Sequence, residues 1–489
     1  MNHTQQIVIL GGGYAGITFA TRLDKKISDL PSSLSLLKIV LVDANEYHDL
    51  IQQAHLVAGG MKKEEETRYN INDILENSCI QFIKAFVKKI KADEKKVILE
   101  DNKEIEFDLL VVALGATTQS FGIKNVKKYC LTLHSIDDAL AIKNKVQNLI
   151  DKNKKNQFQD NFDKRKGEES IGENKERKED HIVIVGGGPT GTGIAGTISE
   201  FVNKSGVISE QIKIILVTAS PTILQNWDNQ MINEGTKILE SKGVKIIVGS
   251  LVKDVNEDAI ILDNGQKIPA NLIIWTPGVK GFELPFQPEV EKTKDQRIIT
   301  NEFCQIDKFP DIFCIGDIGA IIYSSEKEER KERKEGEKKE IKNPPLGQIA
   351  ISQAIYLAET IPEFFIKGKK PMEKFDYDIK ISILPMGEDD YIGTIDGRLV
   401  KGKIAKILKE FRYKAYKEEI VSDKTKIIND VLYKDDPVSK LLLGIYVGSM
   451  LSNKSFEKNT SKGQQENKIH HKTKEILHES KGIAEQIER

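Results

Sequence analysis

Two segments of this chain are near copies of each other, and both are rich in glycine. The first, IVILGGGYAG, covers residues 7–16, and the second, IVIVGGGPTG, covers residues 182–191, so they lie 175 residues apart. Each begins with four apolar residues typical of a buried strand and then fits the spacing G-x-G-x-x-G. In this pattern the first glycine permits a tight turn, the second lets a pyrophosphate approach the backbone, and the third lets helix and strand pack closely. The duplication predicts two dinucleotide-binding units.

The predicted phosphate-binding residues are the glycines of each repeat, together with the residues that open the helix behind them. Unpaired N–H groups and a partial positive charge at the start of that helix favour a bound phosphate. A single such motif is weak evidence, because ordinary turns also contain glycine, but two copies in register outweigh that interpretation. The predicted positions are Gly11, Gly13, Tyr14, Ala15 and Gly16 in the first repeat, and Gly186, Gly188, Pro189, Thr190 and Gly191 in the second.

The repeat continues beyond the glycines. KIVLVDAN at residues 38–45 and KIILVTAS at residues 213–220 also lie 175 residues apart, and both predict the second strand of a βαβ unit. The first of these strands ends in Asp43, the acid expected to accept hydrogen bonds from a ribose hydroxyl pair. The equivalent residue of the second copy is Thr218, which carries no charge. The two units are therefore predicted to differ at the ribose.

Three further strand ends are predicted to approach a ligand. FDLLVVALGA at residues 107–116 brings Ala113 and Gly115 to the end of a buried strand, and LIIWTPGVK at residues 272–280 does the same for Gly278. The strand predicted within DIFCIGDIGA, at residues 311–320, ends at Gly316 and Asp317. An acid at the carboxyl end of a strand suits sugar-like hydroxyls, because doubly wound sheets bind ligands at that edge. The alternative interpretation of Asp317 is a helix N-cap, and both roles are compatible.

Composition narrows the class of protein. At 489 residues the chain is long enough for two or three domains, and its net charge of −1 argues against a nucleic-acid partner. The first residues lead directly into a strand, so no secretory signal is expected. No stretch reaches the roughly 18 to 20 apolar residues that a spanning helix needs. We expect a soluble protein or one that lies at a membrane surface.

The cysteines give no framework for a disulfide or a metal. Cys79, Cys130, Cys304 and Cys314 form no C-x-x-C pair and show no metal-ligand spacing. We interpret them as small buried thiols in a reducing compartment, and we expect no bound metal.

The last hundred residues differ in character from the rest. IAKILKEFRYKAY places Ile404, Ile407, Leu408 and Phe411 at helical spacing among lysines, which predicts a basic amphipathic helix. A second segment, residues 438–456, is more apolar but too short to cross a bilayer. Such a pair suits the headgroup region of a membrane with anionic lipids. The alternative is that the pair packs on its own domain or on a second subunit.

The residues resemble those of the type II NADH dehydrogenases, single-chain flavoproteins that pass electrons from NADH to quinone at a membrane surface. The resemblance covers most of residues 5–455, and the glycine repeats alone are shared with many other flavoproteins. Its more specific parts are ALGATTQSFGI at 113–123, TLHSIDDAL at 132–140, WTPGVK at 275–280, FPDIFCIGDIGA at 309–320 and PPLGQIAISQ at 344–353.

The resemblance implies a cofactor for each unit. It implies that FAD is bound by Gly11, Gly13, Tyr14, Ala15, Gly16, Asp43, Ala113, Gly115, Gly316 and Asp317. It implies that NADH or NADPH is bound by Gly186, Gly188, Pro189, Thr190, Gly191 and Gly278. The segment PPLGQIAISQ resembles the family signature A-Q-x-A-x-Q, so Gln348 is the expected quinone contact. Gly347 and Ser352 replace the alanine and the second glutamine of that signature, and Gln353 is the expected substitute.

The resemblance and the composition together divide the chain. The fold class is predicted to be α/β, with two Rossmann-like dinucleotide-binding domains for FAD and NAD(P) and a C-terminal α+β or helical region at a membrane surface. Residues 151–180 have almost no apolar content, which predicts a flexible insert. The predicted domains are 1–150 and 296–365 for FAD, with a charged loop at 326–342, 181–295 for NAD(P), 366–456 for membrane association or dimerisation, and a disordered tail at 457–489.

Two departures from the family bear on function. Where the family has a glutamate next to the nicotinamide, the second repeat has Gly193, and Thr218 replaces the usual ribose-binding acid. We predict hydride transfer from NADH or NADPH to FAD and two-electron transfer to quinone, without proton pumping, by a peripheral protein on the cytoplasmic face of the cell membrane. A homodimer is the expected assembly if the C-terminal segments pair.

Two other functions stay open. A sulfide:quinone oxidoreductase shares this duplicated fold and keeps a degenerate second repeat, and Cys130 and Cys304 are the candidates for its redox thiols. A flavin- or nucleotide-binding sensor without catalysis would also tolerate Gly193 and Thr218.

Overall fold

The structure is a computed structural model. It describes residues 5–28, 37–166, 179–208, 211–322, 343–362, 373–377, 379 and 381–421, with side chains described except in residues 160–166. The chain divides into two units, residues 1–403 and residues 404–489, and each is described by itself.

The described residues form helices and strands in the following chain order. The helices are α1 (Tyr14–Ser28), α2 (Ala54–Ala58), α3 (Ile71–Ile74), α4 (Val126–Tyr129), α5 (Ile136–Lys166), α6 (Pro189–Lys204), α7 (Asn229–Ser241), α8 (Gly347–Ile361) and α9 (Gly402–Val421). The strands are β1 (Gln5–Leu10), β2 (Leu37–Asp43), β3 (Tyr47–Asp49), β4 (Arg68–Asn70), β5 (Ile80–Lys84), β6 (Val87–Lys91), β7 (Lys96–Leu99), β8 (Glu104–Glu106), β9 (Leu109–Val112), β10 (Ala116–Thr118), β11 (Cys130–Leu131), β12 (Asp180–Val185), β13 (Ile212–Val217), β14 (Lys245–Ile247), β15 (Val252–Val255), β16 (Ala259–Leu262), β17 (Lys267–Pro269), β18 (Leu272–Trp275), β19 (Val279–Gly281), β20 (Phe286–Gln287), β21 (Ile298–Thr300), β22 (Gln305–Ile306), β23 (Phe309–Cys314), β24 (Gly319–Ile321), β25 (Ile381–Pro385), β26 (Tyr391–Ile395) and β27 (Arg398–Lys401).

The first glycine repeat lies in a six-stranded sheet with the order β22-β23-β9-β1-β2-β5. All neighbours pair in parallel except β22 and β23, which are antiparallel. Helices α1 and α8 pack against each other beside this sheet. A second sheet, β20-β6-β7-β8, shares an apolar core with the six-stranded sheet. Because both faces are covered, the strands are continuous apolar runs, as in other α/β proteins.

The second repeat lies in a five-stranded parallel sheet with the order β11-β18-β12-β13-β14. Its pairing repeats that of the first sheet residue for residue. Ile7 lies opposite Ile39 in the first sheet, and Ile182 lies opposite Ile214 in the second, so both partners are shifted by the same 175 residues. The predicted fold class of two Rossmann-like domains is therefore confirmed by the sheets themselves.

The predicted boundaries between these two domains are wrong at three points. Strand β11 and helix α5 pack with the second sheet, so the first domain ends well before residue 150. Residues 151–166 are the second half of α5 rather than a flexible insert, and buried Asn153 donates a hydrogen bond to Asp180 at 2.8 Å. Strands β19 and β20 pair with β10 and β6, so the segment from residue 279 onward returns to the first domain. Residues 167–178 lie outside the described residues.

The described residues include only part of the C-terminal region, residues 366–489, for which structure was predicted. Strands β25, β26 and β27 form an antiparallel sheet whose strands contact α6 and α7. Helix α9 confirms a helix over the amphipathic segment; Ile404 and Ile407 are exposed, Phe411 is partly buried and Leu408 is buried. The predicted apolar segment at 438–456, the charged loop at 326–342 and the tail at 457–489 lie outside the described residues. Among the described helices, none has the length and apolar character needed to cross a membrane.

Candidate functional site

The first glycine turn, residues 11–16, is called the first cradle. Gly11 has a φ of +106°, and a Cβ at this position would lie within 2.7 Å of the carbonyl carbon of Ala113. A Cβ at Gly16 would collide with the carbonyl oxygen of Gly11, so both positions require glycine. At Gly13, in contrast, no atom lies within 4 Å of the point that a Cβ would occupy, which leaves the backbone open to a ligand. The predicted glycine roles follow from this geometry.

Asp43 closes the first cradle at the end of β2. Its carboxylate accepts hydrogen bonds from the backbone N–H groups of Gly12 and Asn45, both at 2.6 Å. Burial raises the pKa of Asp43, and these two N–H donors act in the opposite direction. The carboxylate is therefore fixed beside the glycine turn, where a ribose of a bound dinucleotide would reach it.

His48 belongs to the first cradle, although no sequence signal singled it out. Its ring is fully buried, and Nδ1 donates to the carbonyl oxygen of Gly12 at 2.8 Å. Burial lowers the pKa of His48 to about 4, so the ring is neutral at physiological pH. The ring also packs edge-on against Tyr14, with ring centroids 5.4 Å apart. His48 thus binds the carbonyl group of Gly12, the central glycine of the turn, while Asp43 binds its N–H group.

The remaining positions assigned to the first ligand lie at the same edge of the sheet. Ala113 follows β9 and donates its N–H to the carbonyl oxygen of Leu10 at 2.7 Å. Gly115 has a φ of +67° and open space above it. A Cβ at Gly316 would lie 3.2 Å from Cβ of Ala15, so the Gly316 turn packs against the start of α1. The predicted residues of the first ligand therefore lie at the carboxyl ends of the neighbouring strands β1, β2, β9 and β23.

Asp317 lies in a short 3-10 turn, Gly316–Ile318, at the end of β23, and it is not a helix N-cap. Burial raises the pKa of Asp317 to about 6, and the nearby positive charge of Arg297 opposes this shift. Arg297 itself donates to the backbone carbonyl oxygens of Asp317, Gly319 and Asn343. The side chain of Asp317 is partly buried, and its carboxylate accepts no hydrogen bond within the described residues, so it is an acceptor that suits a ligand hydroxyl.

Gln353 is not placed as predicted. Its side chain is fully buried, and Oε1 accepts a hydrogen bond from the N–H of Gly316 at 2.7 Å. Its Nε2 lies 3.9 Å from Sγ of Cys304. Gln353 therefore holds the Gly316 turn from beneath and has no surface for a quinone. Its burial gives the predicted quinone contact no support, and the sequence match does not show which side of α8 is buried.

Gln348 lies in the first turn of α8, where its side chain is partly buried. Ser352, which replaces the second glutamine of the family signature, donates its hydroxyl to the carbonyl oxygen of Gln348 at 3.1 Å. A Cβ at Gly347 would meet Nε2 of Gln52, which is the far end of a flexible side chain and can move away. Of the two predicted quinone contacts, only Gln348 keeps a position where a ligand can reach it.

The second glycine turn, residues 186–191, is called the second cradle. Gly186 has a φ of +116°, and a Cβ there would lie within 2.6 Å of the backbone of Thr276. A Cβ at Gly191 would collide with the carbonyl oxygen of Gly186, as in the first cradle, and Gly188 again has open space above it. The backbone of the two cradles is thus the same structure built twice.

The second cradle opens into a pocket of about 740 Å³. The predicted residues that line this pocket are Gly186, Gly188, Pro189, Thr190 and Gly278, and Thr218 lines it as well. No Asp, Glu, Lys or Arg side chain of the described residues lines it. His134 also lines the pocket, and burial lowers the pKa of its ring. The pocket therefore offers no carboxylate to a ribose and no permanent cation to an additional phosphate.

Thr218 takes the place of Asp43 with fewer contacts. Its hydroxyl accepts a hydrogen bond from the N–H of Ser220 at 3.2 Å, which corresponds to the bond from Asn45 to Asp43. The carbonyl oxygen of Gly187 accepts from the backbone N–H of Leu224 at 2.7 Å, where the first cradle uses His48. Both charged or titratable side chains of the first cradle are therefore replaced by neutral groups.

Residues of α2 and β25 occupy the space beside Gly193 into which a side chain would project. A Cβ at this position would lie 3.2 Å from Cδ2 of His55 and 3.2 Å from the carbonyl oxygen of Pro385. His55 is buried, and its carbonyl oxygen accepts a hydrogen bond from Thr197 at 2.9 Å, which fixes α2 against α6. A glutamate at position 193 would have to displace the imidazole or the backbone of β25.

The cysteines do not form a redox centre among the described residues. Cys130 packs in the core of the second domain, whereas Cys304 and Cys314 are fully buried beside the first sheet. Burial raises the pKa of each of these three thiols, which disfavours the reactive thiolate. Partial desolvation and then the contact with Asp24 raise the pKa of the Cys79 thiol as well. The described residues contain no group of His, Cys, Asp and Glu side chains arranged to hold a metal ion.

Comparisons with known proteins agree with this architecture. The family model described as pyridine nucleotide-disulphide oxidoreductase matches residues 5–354. A curated relative from Staphylococcus saprophyticus, named Type II NADH:quinone oxidoreductase, is 28% identical over 413 residues, which cover 83% of this chain and 93% of the relative. A relative of the same name from Staphylococcus aureus is 28% identical over 416 residues and covers the same shares.

Two solved structures share the fold. NDH2 from Plasmodium falciparum in complex with NADH has a TM-score of 0.69 at 18% identity, over 84% of this chain and 94% of that one. The sulfide:quinone oxidoreductase of Aquifex aeolicus has a TM-score of 0.66 at 19% identity, over 88% of this chain and 96% of that one. The two structures are similar to this chain to nearly the same degree, so fold alone does not separate their functions.

Proposed function

The chain belongs to the pyridine nucleotide-disulphide oxidoreductase family, and from this premise we propose that it is an FAD-dependent NAD(P)H:quinone oxidoreductase. The proposal rests above all on the two cradles, which share one backbone but differ in charge. Two partly buried acids, Asp43 and Asp317, lie at the first cradle, and the second opens into a pocket that no Asp, Glu, Lys or Arg side chain of the described residues lines. Such a difference suits a permanently bound dinucleotide in the first cradle and an exchanging one in the second. The relatives named Type II NADH:quinone oxidoreductase support the assignment.

The first cradle fits FAD on the evidence of its own residues. Open space above Gly13 admits a pyrophosphate, and Asp43 stands where the adenosine ribose would lie. The partly buried Asp317 carboxylate is an acceptor for a ligand hydroxyl, which suits the ribityl chain. Gln353 and His48 support the two turns that carry these contacts. Bound FAD would supply the two-electron chemistry, accepting hydride and delivering electrons to quinone.

The contribution of the protein to turnover is then mainly orientation. The second cradle would hold the pyrophosphate of NADH or NADPH on the backbone of Gly188 and the start of α6. The apolar part of its pocket excludes water from the donor, and Leu346 at the pocket wall leads directly into α8 with Gln348. Correct positioning of the two rings accounts for the larger part of such a rate, so a glutamate at position 193 is not required.

The same proposal includes a place in the cell. We assign the protein to the cytoplasmic face of the cell membrane as a peripheral protein, with α9 as one of its contacts. The exposed side chains of Ile404 and Ile407 and the neighbouring lysines support this assignment. A homodimer through the C-terminal region is the assembly we propose.

Steady-state quinone reduction tests the function. Full-length protein purified with its flavin is mixed with a short-chain quinone and, in parallel, with NADH, NADPH or sulfide. We expect quinone reduction with a nicotinamide donor and none with sulfide. Anaerobic NADH should also bleach the flavin absorbance within the mixing time. Reduction by sulfide alone, or an unbleached flavin with both nicotinamide donors, would refute the proposal.

The cysteines offer a second test against the sulfide alternative. The buried thiols of Cys130 and Cys304 lie in different domains, which gives them no shared site. A Cys130→Ser, Cys304→Ser double variant should keep full reduction of quinone by NADH. Loss of that activity in a variant that still folds and binds flavin would favour redox thiols.

A further inference from the structure

One aromatic side chain lies at the pocket of the second cradle without being part of any glycine motif. Phe121 lines the pocket, and 62% of its surface is exposed. An aromatic ring of this size is normally buried, because exposure of its surface to water is unfavourable. The ring therefore borders the open space in which the donor nucleotide is proposed to bind.

The backbone at Phe121 is held in an unfavourable conformation. Phe121 has a φ of +51° and Gly122 a φ of +81°, and the N–H of Ile123 donates to the carbonyl oxygen of Ser120 at 3.0 Å. These features define a turn with two left-handed residues, for which Asn-Gly is the preferred sequence. Phenylalanine at the first of these positions is strained. This turn favours asparagine and an exposed position favours a polar residue, so neither explains an aromatic residue at position 121.

Hydrogen bonds fix this turn to the second domain. The N–H of Gln119 donates to the carbonyl oxygen of Gly278 at 3.1 Å, and the indole N–H of Trp275 donates to the carbonyl oxygen of Gln119 at 2.9 Å. The side chain of Gln119 accepts from the N–H of Phe121 at 3.3 Å. The backbone that carries the ring is thus held at a defined place on the pocket wall.

The sheet order decides which part of the donor lies at that place. Strands β13 and β14 lie on one side of β12, and they carry the polar pocket residues Thr218 and Ser250. Strand β18 lies on the other side and leads to Gly278 and to the turn of Phe121. In a doubly wound sheet the two halves of a dinucleotide lie across this switch point, with the adenosine over the strand that carries the ribose-binding position. The nicotinamide half then lies on the side of Phe121.

We propose that Phe121 is a specificity-determining residue that covers the nicotinamide ring of the donor and retains it at the junction of the two domains. The inference rests on the proposed function, because it assumes a nicotinamide donor in this pocket. The ring presents an aromatic face to a flat heteroaromatic ligand, an arrangement that adds to the gain from burial alone. The contact between the ring and the bound donor offsets the strain at the turn.

Binding and turnover are measured on the flavin-loaded full-length chain with Phe121→Ala and Phe121→Leu. In Phe121→Ala we expect the KM for NADH and the dissociation constant of NAD⁺ to rise about 5- to 10-fold. The affinity for ADP-ribose, which lacks the nicotinamide, should stay within about twofold of wild type. Phe121→Leu should recover part of the affinity, because it restores apolar cover without the aromatic face. Phe158→Ala is the matched control, since Phe158 is 74% exposed and does not line the pocket.

A third variant separates ligand binding from a purely structural role. Phe121→Asn places the residue that this turn prefers, so we expect the melting temperature of the ligand-free enzyme to rise by about 2 °C. The same variant should lose NAD⁺ affinity as Phe121→Ala does. A residue with a structural role alone would change stability and ligand affinity in the same direction.

Three results would overturn the proposal: unchanged NAD⁺ affinity in Phe121→Ala, an equal loss of ADP-ribose affinity, or a lower melting temperature in Phe121→Asn. These outcomes are independent of the proposed overall function, because NAD⁺ and ADP-ribose binding need no turnover. If NADH fails to reduce the wild-type flavin, the proposed function fails, and the two binding constants still decide the role of Phe121.

Discussion

The two cradles of this molecule have nearly the same backbone, but different groups surround the central glycine. In the first, the central glycine lies between the carboxylate of Asp43 and the imidazole of His48. In the second, the corresponding neighbours are the hydroxyl of Thr218 and the backbone N–H of Leu224. The glycine spacing, which both cradles share, therefore fixes where a pyrophosphate can lie. The side chains at the end of the second strand determine how firmly the rest of the dinucleotide is held.

The largest effect is expected from removing the acid of the first cradle. Asp43→Ala leaves the buried N–H group of Gly12 without an acceptor and removes the proposed ribose contact. We expect purified Asp43→Ala to lose at least about nine-tenths of its flavin, since a hydrogen bond to a charged group contributes about 1.5–3 kcal/mol. The ratio of flavin absorbance to protein absorbance measures this loss.

The matched variant in the second cradle is Thr218→Ala, which should keep the flavin and alter only the donor kinetics. If Asp43→Ala retains a full complement of flavin, or if Thr218→Ala loses it, the assignment of the two cradles is reversed or wrong.

The first cradle should give the protein a pH-dependent stability. The pKa of His48 falls from an ordinary 6.5 to about 4 because burial disfavours the charged ring. The unfolded chain therefore takes up this proton first, so the contribution of His48 is present above pH 6.5 and is lost as the pH falls to about 4. At pH 5 the loss amounts to about 2 kcal/mol of the free energy of unfolding.

His48→Gln keeps an N–H donor for Gly12 but cannot titrate. The urea midpoint of the wild type should fall further between pH 7.5 and pH 5 than that of His48→Gln. The raised pKa of Asp317, about 6, acts in the opposite direction over this range, since its contribution is lost as the pH rises. Asp317 is present in both proteins, so the difference between them reports His48. Parallel pH profiles would show that His48 is not the titrating group.

Restoring the family's glutamate in the second repeat should harm the fold. Gly193→Glu must displace the ring of His55 or the backbone at Pro385, both 3.2 Å from the new Cβ. Overpacking of this kind costs about 1–3 kcal/mol, which lowers the melting temperature without raising the rate of quinone reduction. A Gly193→Glu, His55→Gly double variant should recover part of the lost stability. Higher activity of Gly193→Glu alone would show that a carboxylate is needed here after all.

Much of this arrangement could be predicted from the sequence because it depends on backbone geometry. The glycines, Asp43 and the helix that begins at Gly347 follow from spacing and strand pattern. His48 could not be predicted, since only tertiary contact brings its ring to Gly12. Gln353 was assigned to quinone because the sequence pattern does not reveal that its amide is consumed by Gly316.

The domain boundaries were missed for a related reason. Local composition predicted a flexible insert at 151–180, whereas α5 extends to Lys166, and Lys152 and Asn153 at the start of its polar half contact Asp180 of the second sheet. The chain also crosses between the two domains through the paired strands β10 and β19, which are too short to stand out in the sequence. Tertiary contacts of this kind override local propensity.

The smallest expected effect concerns the donor and converts the second cradle toward the first. Thr218→Asp introduces the carboxylate that Asp43 supplies in the other repeat, in a pocket with no charged side chain among the described residues. The new acid should accept hydrogen bonds from the ribose of NADH and repel the additional phosphate of NADPH. We expect the ratio of kcat/KM for NADH over NADPH to rise about tenfold, which corresponds to about 1.4 kcal/mol. Thr218→Val, which keeps the shape without the charge, should leave this ratio within about twofold of wild type. Equal ratios in Thr218→Asp and wild type would mean that the ribose lies away from the end of β13, and the correspondence between the two cradles would then stop at the phosphates.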